Sequence, residues 1–114
     1  MAGPHAGELK WLVQFRRAVT GDDGISEVQT WEDLGQPQRA RKLDASDSER
    51  WQASEVGSSI TTRFVLRRSG LSEIVAPKDR LICEGVLHEI TGKRELAGNR
   101  RWLEISTVAR TDRT

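Results

Sequence analysis

Few residues of this chain could perform chemistry, and none has the partners that such chemistry needs. Cys83 is the only cysteine, so one chain can form neither an internal disulfide nor a thiolate metal cluster. His88 has no second histidine or carboxylate at a recognisable metal-ligand spacing, and His5 lies in a start segment rich in small residues. Gly92 and Gly98 lack the Lys-Ser/Thr ending of a phosphate-binding loop. The sequence therefore predicts no enzyme, no metal site and no cofactor.

Three glutamates, Glu84, Glu89 and Glu104, are the remaining candidates for acid–base chemistry. Paired carboxylates can act as acid and base only where the fold brings them together. On alternating strands these side chains more simply form a solvated face. Cys83, in a short apolar run, is likewise better explained as a small buried side chain than as a nucleophile.

The charges of the chain are balanced, with 18 lysines and arginines, 17 aspartates and glutamates, and a net charge of +1. A dedicated duplex-binding domain is strongly basic, so we do not expect the whole surface to bind DNA tightly. The hydrophobic fraction of 36% leaves a thin core, which association with other subunits could complete. No segment has the apolar length of a membrane span, and residues 1–10 lack a signal-peptide pattern. We expect a soluble protein that folds in a reducing cytoplasm and contacts no membrane.

Most of the chain shows the period-two alternation of half-buried strands. The first strand is predicted to begin near Trp11 and to end before a turn at residues 21–24. Residues 25–43 favour β structure but are interrupted at residues 35–37, which predicts one long strand with a bulge or break. Further strands are predicted at residues 60–67, at 81–83 and 86–90 around a turn at Glu84-Gly85, and at 102–109, with loops at 69–79 and 91–100.

One segment departs from this pattern. Residues 44–57 form a long excursion in which Ser46 or Asp47 could cap a short helix. Glu49 stands three residues after Ser46, in the position that a capping box requires.

The expected fold is therefore mainly β. With no βαβ alternation and no repeat, we predict a small antiparallel β-barrel of about six to seven strands, with one short helix in a long loop. The domain is expected to span residues 9–110, between a flexible N-terminus at residues 1–8 and a tail at residues 111–114.

Several short motifs follow one another in a characteristic order along the chain. They are a strand with basic residues, an Asp-Gly turn, a Trp before acidic residues, arginine-flanked strands, a hairpin and a final Leu-Glu strand. They stand as Val13-Gln-Phe-Arg-Arg17, Asp23-Gly24, Thr30-Trp-Glu-Asp33, Arg39-Ala-Arg41, Arg63-Phe-Val-Leu-Arg67, Asp79-Arg-Leu-Ile82 with Gly85 and His88-Glu-Ile90, and Leu103-Glu-Ile105. This order resembles that of the phage head-tail joining or head-closure (stopper) proteins. The sequence departs from the family pattern at residues 35–37, where relatives continue an apolar strand, and at His88, where an aromatic is commoner.

The resemblance implies a non-enzymatic subunit in the neck of a tailed phage or a phage-like particle such as a gene transfer agent. The subunits would form a homo-oligomeric ring, a dodecamer or alternatively a hexamer. The ring would lie below the portal–adaptor complex and above tail-terminator or tail-tube proteins. Packaged DNA would pass through it without sequence-specific contact, and the ring would help to retain or gate the DNA and to attach the tail.

In such a ring the excursion would project toward the DNA channel. Its acidic residues Asp44, Asp47, Glu49 and Glu55 outnumber Arg50, so it would repel a phosphate backbone. We predict that these five residues face or occlude the channel.

Trp51, Arg63, Arg67 and Arg68 are the candidate contacts with other subunits or partners. Tryptophan is enriched at interface hot spots, and arginines could meet acidic loops of a partner. Core packing of Trp51 and simple solvation of the arginines are the alternatives. Core packing is expected for the other tryptophans, although Trp31 could also be an interface anchor: Trp11, Trp31 and Trp102.

A second class of function stays open, that of a small β-barrel nucleic-acid-binding module. Such a barrel stacks bases on aromatic side chains exposed on one sheet face. The chain has no tyrosine, and both phenylalanines are predicted to point inward, so this alternative ranks below the ring subunit.

Overall fold

A computed structural model of the chain describes residues 6–22, 24–25, 27–57, 60–96 and 98–110. A short 3-10 turn at Ala6–Glu8 precedes seven strands and two helices. The strands are β1 (Trp11–Asp22), β2 (Glu27–Asp33), β3 (Gln38–Asp44), β4 (Thr62–Arg67), β5 (Arg80–Cys83), β6 (Val86–Leu96) and β7 (Asn99–Ala109). The helices are α1 (Asp47–Glu55) and α2 (Gly70–Ile74).

The strands form a closed antiparallel barrel. Their order is β2-β1-β3-β4-β7-β6-β5, and an additional pairing of β1 with β5 closes the sheet on itself. Six strands make up the barrel, and β2 is an extra strand attached to β1. The prediction of a mainly β, small antiparallel barrel with a helix in a long loop is confirmed.

Large side chains from alternate strand positions fill the barrel interior. Val13 and Phe15 of β1, Phe64 of β4 and Ile105 of β7 are each fully buried. Burying a side chain of this size contributes about 1.5–3 kcal/mol, so these residues are the main source of the barrel's stability.

One strand is buried on both faces. Val65 lies on the face of β4 opposite to Phe64 and Leu66, yet it is only 1% exposed. It lies between Arg41 of β3 and Glu104 of β7, and Glu104 is itself 7% exposed because arginines surround it. The outer wall of the barrel is therefore covered at this point.

The predicted break in the second β segment is confirmed. β2 and β3 both pair antiparallel with β1, and the Leu34 amide donates to the Phe15 carbonyl (2.8 Å) between the two ladders. Gly35 adopts φ 71°, and a Cβ there would lie 2.8 Å from the Leu71 side chain. Glycine therefore suits the positive φ, and a side chain at this position would also have to displace the Leu71 methyl groups.

Two predicted loops contain regular structure. Residues 69–79, expected as a loop, include α2, whose capping Ser69 side chain accepts from the Ser72 amide. Residues 91–100 were expected as a turn region, but β6 continues to Leu96 and pairs with β7 through bulges. The Glu84-Gly85 turn is confirmed, with both residues at positive φ (51° and 78°).

The chain reverses after β1 as predicted, but the strand continues through the first two residues of the predicted turn, because Gly21 pairs with Val28 and Asp22 with Glu27. Asp23 lies outside the described residues. Residues 1–5 and 111–114 lie outside them too, so the flexible N-terminus and the C-terminal tail stay predictions. Neither described helix is long and apolar enough to cross a membrane.

The second half of β1 leaves the barrel together with β2. Barrel strands pair with β1 only from Trp11 to Arg16, whereas β2 pairs with it from Arg16 to Asp22. We call this two-stranded projection, residues 17–22 and 27–32, the hairpin arm. It contributes to the elongated shape of the described chain, which measures 53 × 33 × 22 Å.

Candidate functional site

The excursion between β3 and β4 folds as its sequence predicts. Ser46 has extended backbone angles and its side chain accepts a hydrogen bond from the Glu49 amide (3.2 Å), which caps the first turn of α1. Asp47 and Glu49 lie in that turn, where negative charge is stabilised by the helix dipole. None of the helical residues is buried. The helix therefore presents nearly its whole surface outward.

The five predicted channel residues all belong to this excursion, but they do not behave alike. Asp44 ends β3 and is exposed opposite Thr62 of β4. Asp47, Arg50 and Glu55 are exposed on α1, whereas Glu49 is half-buried. The structure thus brings them onto one projecting element and turns Glu49 back toward the barrel.

Arg63 explains the position of Glu49. The Arg63 guanidinium forms an ion pair with Glu49, and its Nε lies 3.4 Å from Glu104 Oε1 on β7. Glu104 also accepts from Arg94 of β6, at 2.8–2.9 Å. This chain of charges fastens α1 to the barrel wall. Arg63, predicted as a partner contact, is therefore engaged within its own chain.

The other two predicted arginines differ from each other. Arg68 donates to Glu73 of α2 and to Glu95 of β6, and these hydrogen bonds raise its pKa above the ordinary value. The hydrogen bond from Arg68 also lowers the pKa of Glu73. Arg67 is exposed, its guanidinium lies 5.0 Å from the centre of the Trp102 ring, and no carboxylate pairs with it in the described part of the chain. Arg67 is thus the member of the trio that is available to a partner.

Trp51 is 69% exposed on α1, which excludes the alternative of core packing. Its indole N–H donates to Glu55 Oε1 (2.9 Å), so the ring is held across the helix surface. Trp102 is buried as expected, at 7% exposure. Trp11 packs against the core beneath Lys42, and Trp31 is half-buried with the Arg80 guanidinium 3.9 Å from its ring centre.

A buried ion pair that the sequence did not reveal joins β1 to the segment before β5. Arg17 donates to both carboxylate oxygens of Asp79 (2.7 and 2.8 Å) and to the Ile74 carbonyl. Asp79 is 1% exposed and also accepts from the Ala76 amide. Burial opposes ionisation of this carboxyl, but the hydrogen bonds from Arg17 and Ala76 prevail and hold its pKa below the ordinary value. Arg17 and Asp79 both belong to the short motifs that carry the family resemblance. That membership was the only feature of the sequence that could have drawn attention to this ion pair.

His88 is buried and belongs to a polar network inside the barrel. His88 Nδ1 lies 3.1 Å from Thr107 Oγ1, which itself donates to the Thr62 carbonyl, so Nδ1 carries the proton. The His88 ring is edge-on to the Phe64 ring, with 5.0 Å between the two ring centres. It thus packs where the family pattern more commonly has an aromatic residue. Burial, assisted by the charge of Lys42 and opposed by Asp44, lowers the pKa of His88 to about 4. His88 is therefore a neutral core residue at physiological pH.

The described residues contain no cluster of three or more side chains able to hold a metal ion. Cys83 is buried in β5, and burial raises the pKa of its thiol, with Lys42 acting in the opposite direction. The thiol is therefore protonated and inert near neutral pH.

The described residues thus form a closed barrel from which an acidic helix with an exposed tryptophan projects. The sequence matches the model of the phage head completion protein family over residues 4–110. The chain belongs to this family, and it is a structural protein of a phage head or a related virion. The predicted family resemblance is confirmed.

Solved structures share the fold of this chain. The solution structure of protein SF1141 from Shigella flexneri 2a has 19% identity and a TM-score of 0.74, covering 96% of this chain and 100% of that chain. A chain in the virion of a native gene transfer agent particle has 21% identity and a TM-score of 0.55, covering 84% of this chain and 89% of that one. No curated protein sequence matches this chain.

Proposed function

We propose that this chain is the head-closure (stopper) subunit of a virion neck, where it forms a ring that retains or gates the packaged DNA. Family membership supports a role in completing the head, and a protein of similar fold occurs in a gene transfer agent particle. The observation that carries the specific role is the α1 excursion: a capped helix without buried residues, tied to the barrel wall by the ion pair between Glu49 and Arg63. A barrel that needed only to fold would not require it.

The charge of the excursion suits a DNA channel. Because Glu49 is paired with Arg63, the exposed charges are Asp44, Asp47 and Glu55 against Arg50. Each phosphate that a protein neutralises adds salt-dependent affinity, which would oppose release of the genome. An acidic helix at the channel wall repels the backbone and keeps the DNA mobile.

The proposed partners follow from the same placement. The ring is a dodecamer, with a hexamer as the alternative, below the portal–adaptor complex and above tail-terminator or tail-tube proteins. Trp51 and Arg67 are the predicted contact residues that are exposed and form no ion pair with the described residues, and such residues form hot spots at interfaces. The competing function, binding of single-stranded nucleic acid, is disfavoured because Phe15 and Phe64 are both fully buried.

Electron microscopy of particles that contain the chain tests the placement directly. Density for residues 46–55 should line the channel below the portal; density on the outer wall, away from DNA, would contradict the proposal. As a second readout, the Asp47→Lys, Glu55→Lys double variant should release DNA more slowly than the wild type at low salt, and the difference should vanish at high salt. Glu95→Lys, an exposed charge reversal near the β6–β7 turn at the opposite end of the barrel from α1, is the control and should release DNA at the wild-type rate.

A further inference from the structure

The hairpin arm has features that its own chain does not use. Val19 and Val28 are 42% and 40% exposed, and they share one face because Val19 pairs with Thr30 and Gly21 with Val28. The outer edge of β2 pairs with no strand among the described residues. Such edges and apolar faces invite a further protein contact.

The arm is also acidic along β2. Glu32 shares the face of Val28, whereas Glu27 lies on the opposite face of β2, and neither forms an ion pair with any described residue. The basic residues at the base of the arm are already committed, since Arg16 pairs with Asp33 and Arg17 with Asp79. The arm therefore offers an apolar face with unbalanced negative charge.

A surface of complementary character lies at the opposite end of β1. A groove of about 640 Å³ is lined there by Leu9, Pro37, Gln38, Arg39 and Arg67. Gln38 and Arg39 pair with Val13 and Leu12 at the start of β1. We call this surface the basic groove.

The arginines of the basic groove have no acidic partner in the part of the chain that the structure describes. Arg39 and Arg67 are both exposed, and the register that pairs Arg41 with Val65 places them on opposite positions of β3 and β4. Leu9 and Pro37 supply apolar surface between these two charges. The groove is thus opposite to the arm in charge, and like the arm it presents apolar surface.

We propose that the hairpin arm of one copy of this chain docks in the basic groove of the next copy. The two surfaces are different and lie at opposite ends of one strand, roughly 25 Å apart at about 3.3 Å per residue. A contact between unlike patches is head-to-tail, and head-to-tail contacts close into rings when the rotation allows it. The proposal rests on the ring assembly of the proposed function and names the surfaces that build it.

Cysteine crosslinking in intact particles tests the contact. Particles carrying the Val28→Cys, Gln38→Cys double variant, treated with a short bismaleimide, should give a ladder of covalent multimers. The single variants should give none, and the native Cys83 does not interfere because it is buried. A ladder or dimer from Val28→Cys alone would mean that arms meet arms, which would overturn the head-to-tail contact.

Charge reversal adds a rescue test on the same crosslinking background. E27R/E32R and R39E/R67E should each reduce the ladder at least tenfold, and particles made from a mixture of both variants should regain it, since every junction then joins opposite charges. E84R/E95R, with the same change in net charge as the first variant, should leave the ladder unchanged. Thermal unfolding of each purified variant shows whether it is folded.

The outcomes separate this inference from the function on which it rests. Wild-type particles without this chain would contradict the proposed function itself. Particles that contain the chain but give no ladder, or no rescue from the mixture, would contradict only the arm–groove contact. If R39E/R67E kept the ladder and instead lost affinity for duplex DNA, the groove would be a phosphate site and the proposal would be wrong.

Discussion

Replacing Asp79 with alanine removes one half of the buried ion pair that ties β1 to the segment before β5. The variant leaves the Arg17 guanidinium without its bidentate carboxylate partner, retaining only the hydrogen bond to the Ile74 carbonyl. The Ala76 amide loses its acceptor as well. Three hydrogen bonds to a carboxylate with 0% exposed side-chain surface therefore disappear in one substitution.

The expected cost is large for a single residue. Breaking a buried ion pair by removing one partner costs about 3–5 kcal/mol. We expect a value near the lower end, about 3 kcal/mol, because Arg17 keeps partial access to water that eases its loss. A loss of about 3 kcal/mol lowers the melting temperature of a domain of this size by roughly 10 °C.

Urea unfolding followed by tryptophan fluorescence measures this change, and Asp33→Ala is the matched control. Asp33 forms an ion pair with Arg16 on the same strand pair at 3.2 Å, but its side chain is 61% exposed. Exposed pairs contribute about 0–1 kcal/mol, so the control should unfold close to the wild-type midpoint. Equal midpoints for the two variants would refute the structural role assigned to Asp79.

The same pair has a predictable pH dependence. Because the pKa of Asp79 is lowered in the folded state, its contribution is complete above the ordinary aspartate pKa. It is lost as the pH falls below that value and through the folded pKa. The difference in unfolding free energy between the wild type and Asp79→Ala should therefore shrink on acidification, and a difference that stayed constant would contradict the ion-pair explanation.

Three further outcomes are expected. The wild-type free energy of unfolding should fall as the pH is lowered from about 6.5 to 4, because His88 is protonated near pH 6.5 in the unfolded chain but only near pH 4 in the folded chain. In urea titrations at several pH values, His88→Phe should show a smaller dependence on pH over this range. Trp51→Ala should melt at the wild-type temperature yet enter particles poorly, as measured by immunoblot, and normal incorporation would exclude an interface role. Glu49→Ala should accelerate hydrogen exchange in α1 but not in β4, because the bond to Arg63 holds the helix; unchanged exchange would mean that the helix is held otherwise.

Local chemistry made much of this fold predictable. The capping residue Ser46, the Glu84-Gly85 turn and the alternation through Phe64 each act over a few residues, and each appears where the sequence places it. The break at Gly35 was equally visible, although its second cause, the nearby Leu71 side chain, depends on tertiary packing.

The features that escaped prediction depend on contacts between distant segments. Helix α2 has only five residues, and Lys93 of β6 helps to hold it by donating to the Ser72 and Glu73 carbonyls. The length of β6 is set by pairing with β7, which carries the strand through Gly92 and beyond. The alternation of apolar and polar residues within one segment carries no information about which distant segment pairs with it.

In the candidate site, too, the local features could be predicted from the sequence and the contacts between distant residues could not. The distribution of charged residues alone identified the acidic excursion and the three candidate arginines, Arg63, Arg67 and Arg68. Which arginines are committed internally could not be read from spacing, because Glu49 is 14 residues from Arg63 and Glu95 is 27 residues from Arg68. Of the three arginines, the fold leaves Arg67 for a partner.

The pairing of β1 with β5 also determines when the barrel can close. β1 is synthesised first, yet Val13 finds its partner Cys83 only after β2, β3, β4 and both helices have been made. At about 5–20 residues per second, the interval is on the order of 4–14 s, during which the closing edge of β1 stays unpaired. Non-local pairing of this kind folds slowly and exposes strand edges to other nascent chains. In a cell that makes many copies at once, the yield of assembly-competent subunits depends on how long that edge is kept from its neighbours.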